Sequence, residues 1–259
     1  MAESVRPDPE RLGGLDWTRR TGGRLTRGER ARALGEIAKG QAVNLAGRIR
    51  LAAGRLPAGA AEVDARSFAP PDSALAREAE RACAELPETI AGHSYRTWMF
   101  GLALAALDGS DPDPELFYCA SLLHDMGLAE AVPGRDFTLG GADRAISCAE
   151  SAGAEAGRGE AIADAICAHA TPGARLDRDG ALGCYVQWGA MVDVGGLRLW
   201  DISPANREET LHRHPRQTAF KRELTEAVRA EARAVPGGRF ALLTRCGFPL
   251  AIRLAPFKP

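Results

Sequence analysis

PELFYCASLLHDMG, residues 114–127, reads as an apolar helix that ends in an imidazole and a carboxylate. Pro114 suits the first helical position, Asp113 can cap it, and Gly127 closes it. Adjacent residues on a helix lie about 100° apart, so in mid-helix His124 and Asp125 would point in different directions. The last turn before Gly127 is where the two can converge on one point. That end of a helix carries partial negative charge, which favours a cation. A carboxylate in so apolar a run is costly unless it is paired or bound to metal.

Outward from this stretch, the pattern stays helical. SALAREAERACAELPE and HSYRTWMFGLALAAL precede it, the latter ended by DGSDPDP. GGADRAISCAESAG, GEAIADAICAHA and ALGCYVQWGAMVDVGG follow as three more helices. PANREETLHRHPRQTAFKRELTEAVRAEARA is a long helical region interrupted near Pro215, and the tail from 237 to 259 is mixed and expected to be irregular, with a short strand or helix in it. Strand signals are scarce, so the predicted class is all-α. Residues 1–25 read as an irregular lead-in with Trp17 as its anchor, and Thr26 with Glu29 forms a capping box for a helix that ends at RLPAGAAEVDARSFAPPD. The expected organisation is an N-terminal arm and helix over 1–70, packed on a helical domain with a C-terminal extension over 71–259.

The bulk numbers exclude several classes. The 259 residues are 45% hydrophobic and 26% charged, with a formal net charge of −1, so no global field draws in nucleic acid or an anionic membrane. No apolar run approaches the ~20 residues a spanning helix needs. The N-terminus MAESVRPDPERLGG has no signal-peptide core. Six scattered cysteines without a C-x-x-C pair read as buried thiols of a reducing, cytoplasmic protein. The expected partner is a small-molecule substrate, with no nucleic acid and no membrane; homo-oligomerisation is left open.

The chain has five histidines, and His93, His124 and His169 occupy three different apolar helices. Asp193 is the only acid in CYVQWGAMVDVGG. Imidazole nitrogen with carboxylate oxygen suits zinc first, and iron, manganese, nickel or cobalt, better than calcium. His169 reads as a further ligand, an acid–base residue or an inert core histidine. Arg96, one turn after His93, reads either as a holder of negative charge on a substrate or as an ion pair with Asp125 or Asp193. Trp98 and Trp188 read as pocket walls or, more commonly for aromatics at helical spacing, as core. The basic segment LHRHPRQTAFKREL, 211–224, reads as a solvated helix face rather than a phosphate patch.

The order His93 … His124-Asp125 … Asp193 on separate helices resembles the HD-domain superfamily of metal-dependent phosphohydrolases and related enzymes. The chain is most similar to its cyanamide hydratase-like branch, through HSYRTWMFG (93–101), SLLHDMGL (121–128), FTLGGADRA (137–145), AICAHA (165–170) and MVDVGGLRL … HPRQTAFKREL (191–224). The resemblance covers roughly residues 70–225. It implies a helical bundle around one divalent metal held by His93, His124, Asp125 and Asp193. It further implies a hydrolase or hydratase that turns a metal-activated water on a small, nitrile-type substrate. Asp125, His169 and Arg96 would be catalytic, and Trp98, Trp188 and Arg216 would contact substrate. The alternatives are a phosphohydrolase acting on a nucleotide or another phosphate ester, and a non-catalytic HD-like binding module. HD oxygenases with two metals need two more histidines between the His-Asp pair and the last Asp. Here only His169 lies there, so a second metal is not expected.

Overall fold

Twelve α-helices and no strand are present among residues 7–257, which the computed structural model describes. The all-α expectation is met. In chain order the helices are α1 (Leu15–Thr21), α2 (Arg27–Ala52), α3 (Ala74–Cys83), α4 (Glu88–Asp108), α5 (Pro114–Leu123), α6 (Thr138–Ser151), α7 (Arg158–His169), α8 (Leu176–Gly195), α9 (Pro204–Arg213), α10 (Phe220–Ala234), α11 (Arg239–Arg245) and α12 (Phe248–Arg253). Pro87, Pro114, Pro204 and the residues before them mark helix starts, where the missing N–H removes nothing the helix would use. Asp113 accepts from Leu116 N–H and Ser203 from Asn206 N–H, so those starts are capped by side chains as well.

The main core is built by α3 to α8. Phe100, Leu104, Phe117, Tyr118, Leu122 and Ile162 are fully enclosed there. The longest helix pair is α4 against α8, and its closeness depends on glycine. A Cβ on Gly189 would collide with the Thr97 carbonyl oxygen. The bare backbone lets α8 lie directly on α4, which sets His93 of α4 opposite Asp193 of α8.

The two ends of the chain are more ordered than their composition suggests. The lead-in contains α1, because Trp17 is buried beneath the Arg239 guanidinium and donates Nε1–H to Glu29. The same Glu29 completes the expected capping box with Thr26. The tail forms α11 and α12, whose Phe240, Phe248 and Ile252 join a second apolar cluster with Phe220, Leu224 and Val228 of α10. Residues 1–6 of the lead-in and 258–259 of the tail lie outside the described residues. Of the 26 residues of α2, only Ala33 and Gly47 are buried. No described helix is long and apolar enough to cross a membrane. Five of the cysteines are buried and free.

A buried polar knot joins these ends to the bundle. Arg239 donates to both Asp136 oxygens, to the Cys167 carbonyl and to Thr171 Oγ1. Glu231 stands beside it, with one oxygen accepting from Phe137 N–H and the other without a partner. Burial, and then the Asp136 charge, push the Glu231 carboxyl from 4.5 up to about 7, while Arg239 and the Phe137 N–H oppose the rise. Between those two pH values the unfolded chain has released the proton and the folded chain still holds it. Folding stability therefore falls as pH rises through that window. Glu231→Gln keeps the shape without the charge. It should be about 2 kcal/mol more stable than the parent at pH 8 and equal to it at pH 4, below the unfolded-chain value, by denaturant titration.

Candidate metal centre

Three imidazoles and one carboxylate meet where α4, α5 and α7 come together. His124 closes α5 with helical backbone, and Asp125 leaves it at φ −106°, ψ 15°, in the sparsely populated bridge region. That bend resolves the divergence of adjacent helical residues and brings the carboxylate back under the imidazole. Helix α6 presses on the turn through glycine, since a Cβ on Gly141 would collide with the Leu123 carbonyl oxygen.

Each imidazole is held by its Nδ1. His124 Nδ1 lies 2.7 Å from the Ser121 carbonyl, and His169 Nδ1 lies 2.5 Å from the Ile166 carbonyl. Carbonyl oxygens only accept, so both Nδ1 atoms carry the proton. The acceptors are last-turn carbonyls of α5 and α7, groups that a helix leaves unsatisfied. His93 Nδ1 lies 2.8 Å from Asp193 Oδ2 and donates to it. In the neutral form of each ring the free lone pair is then on Nε2.

Those of His93 and His124 face each other, with Asp125 between them and His169. His93 Nε2 and His124 Nε2 are 3.3 Å apart, and Asp125 Oδ2 is 3.6 Å and 3.3 Å from them. His169 Nε2 is 3.7 Å from Asp125 Oδ1. Acceptors so close repel unless something positive lies among them. Two ligands of one tetrahedral ion with bonds of about 2.0–2.2 Å stand about 3.3–3.6 Å apart, which matches the His93–His124–Asp125 spacing. These three residues are buried and can hold a metal ion.

The charges agree. Asp125 is 4% exposed and has only histidines as ion-pair neighbours among the described residues. Burial lowers the His93 and His169 pKa values, keeping these rings neutral. Burial opposes ionisation of Asp125 too, but the His124 charge and hydrogen bond hold the carboxyl well below its ordinary range. His124 in turn is raised by Asp125 against the effect of its own burial. His93 and His169 bring no charge of their own, so the His124 ring alone answers the buried Asp125 anion, and a cation among the Nε2 atoms would answer it more fully.

Asp193, expected as a fourth ligand, is not in this group. It sits behind His93, and its two oxygens accept from His93 Nδ1, from Arg96 Nε at 2.9 Å and from Arg216 Nη1 at 2.8 Å. Arg96 and Arg216 hold it well below the carboxylate range in spite of its burial. Asp193 therefore fixes the ring orientation and tautomer of His93, as carboxylates commonly do behind a ligating histidine. Arg96 is fully buried and also donates to the His214 and Pro215 carbonyls. Of its two expected roles, the ion pair with Asp193 is the one the structure contains. Arg216, expected to touch substrate, stacks over Phe220 and Phe257 with its charge on Asp193. Trp98 packs edge-on to Tyr118 in the core, and Trp188 lies between Tyr185 and Arg198. Neither tryptophan and neither arginine lines the cavity onto which the histidines open.

That cavity has residues which reading the sequence did not single out. Helix α10 contributes Leu224 and Val228, one turn apart, and α11 and α12 contribute Phe240 and Phe248. Glu36, Gln41 and Asn44 come from α2, which the sequence placed on an arm. Gln187 of α8 donates to the His169 and Thr171 carbonyls and so pins the chain beyond α7. The i,i+4 apolar pair on α10 was a visible signal for a buried face, though not for a cavity. No family model and no curated protein matches this chain.

Proposed function

We propose that this chain is a metal-dependent hydrolase or hydratase of the HD kind, acting on a small uncharged molecule of nitrile type. The observation that carries the reading is geometric: the buried Asp125 carboxylate and the Nε2 atoms of His93 and His124 stand at the mutual spacing of ligands to one ion, at the wall of a cavity. His93, His124 and Asp125 would hold the ion, zinc by preference, with His169 beside them. A divalent cation there would supply Lewis acidity, making a water acidic and an electrophile more electrophilic.

The remaining roles belong to the chain. Asp193 holds His93 in one tautomer and is itself held by Arg96 and Arg216. His169 keeps its proton on Nδ1 and offers Nε2 to the cavity, where it can take a proton from water and return it to the substrate. Hydration of a nitrile needs that transfer. One water adds, its oxygen bonds to carbon, its protons end on nitrogen, and the product is the amide.

The test is metal analysis followed by a screen. Zinc-reconstituted protein should hold one equivalent and convert benzonitrile or cyanamide to the amide or urea, with loss of turnover on chelation. Protein that binds no metal supports a binding module instead. Rapid turnover of nucleoside monophosphates with inert nitriles would replace this reading with a phosphohydrolase.

A further inference from the structure

The cavity beside the histidines is about 190 Å³, more than the ~150 Å³ that admits benzene in an engineered apolar core. A three-atom substrate would leave most of it empty. Its wall is apolar and comes from four helices: Met191 and Val194 of α8, Leu224 and Val228 of α10, Phe240 of α11 and Phe248 of α12. The rings form a run. Phe240 and Phe248 meet edge to face at 6.0 Å between centroids, and the His169 ring lines the same cavity. Such a run offers faces and edges to a flat apolar group, and a thioether such as Met191 adapts to irregular shapes.

Charge narrows the choice further. Among the described residues that line the cavity there is no lysine and no arginine, and its carboxylates are Asp125 and Glu36. Arg96 and Arg216 lie outside this lining and are ion-paired to Asp193 behind His93. A phosphoryl group draws its binding from several charge-assisted donors, which this wall lacks.

We infer that the substrate is an uncharged molecule of two parts: a compact reacting head at the His93–His124–Asp125 cluster, and a hydrophobic body of benzene size or larger against α8, α10, α11 and α12. The head rests on the function proposed above. The body rests on the cavity alone, so the two can fail separately.

Calorimetry on metal-free and zinc-loaded protein tests this with benzamide, urea, inorganic phosphate and adenosine monophosphate. Benzamide should bind both forms with a Kd at least tenfold lower than that of any of the other three. Ala251→Phe, which fills the half-buried α12 edge of the cavity, should weaken benzamide at least tenfold and leave the zinc stoichiometry unchanged. The methyl resonance of Met191 should shift on adding benzamide to the parent protein, a readout that needs no variant. Benzamide binding without zinc binding would overturn the metal reading and support the apolar body. The inference is overturned if phosphate or the nucleotide binds more tightly than benzamide, or if benzamide leaves the Met191 methyl unmoved.

Discussion

His124→Ala protein is expected to lose stoichiometric zinc while remaining folded. A structural zinc site is worth about 10–16 kcal/mol in apparent binding free energy, or about 2.5–4 kcal/mol for each of four ligands. At about 1.4 kcal/mol per tenfold, the loss is roughly 10²–10³ in affinity. His124 is fully buried, so the truncation also leaves a cavity and costs about 2–4 kcal/mol of stability. Competition with a chromophoric chelator reads the first effect and thermal unfolding the second. Zinc affinity within threefold of the parent would remove His124 from the site.

Asp193→Ala is expected to give the largest loss of stability of any single change near the centre. Asp193 and Arg96 are both fully buried, and Arg216 is nearly so. Removing the carboxylate leaves two guanidinium groups enclosed without their anion. Breaking a buried pair by deleting one partner costs about 3–5 kcal/mol, on the order of a 10 °C fall in Tm for a chain of this size. Asp193→Asn keeps an acceptor for His93 Nδ1–H and should fall less. Its zinc affinity should drop about 10–100-fold, the usual effect of disturbing the group behind a ligand. That is a smaller loss than His124→Ala gives, and the ordering distinguishes a positioning carboxylate from a ligand. Equal losses in the two variants would make Asp193 a ligand after all. An unchanged Tm in Asp193→Ala would refute the buried ion-pair description.

The His124-Asp125 pair is legible in the sequence because two polar groups ending an apolar helix have few inexpensive explanations. His93 and His169 are legible on the same ground, each an imidazole in an apolar helix. The partner of Asp193 is harder to read. Helical periodicity places it on the face that meets α4, but not on which side of the His93 ring it falls, and Arg96 and Arg216 were open to a second use until their distances to it were known. The tryptophans followed the commoner fate of aromatics at helical spacing, which is core. The cavity wall was out of reach because it draws on α2 and on α10 to α12, elements far apart in the chain. Helix α2 has so few buried residues that its pattern reads as a free arm, and the short apolar runs of the tail fit a strand as readily as a helix.

Zinc K-edge absorption spectroscopy on the reconstituted protein addresses the centre itself. One ion per chain should appear, with two or three imidazole nitrogens and one or two oxygens at about 2.0–2.2 Å, and with no sulfur. Zinc that is substoichiometric, or whose shell holds thiolate and no imidazole, would mean that His93, His124 and Asp125 do not form a cation site.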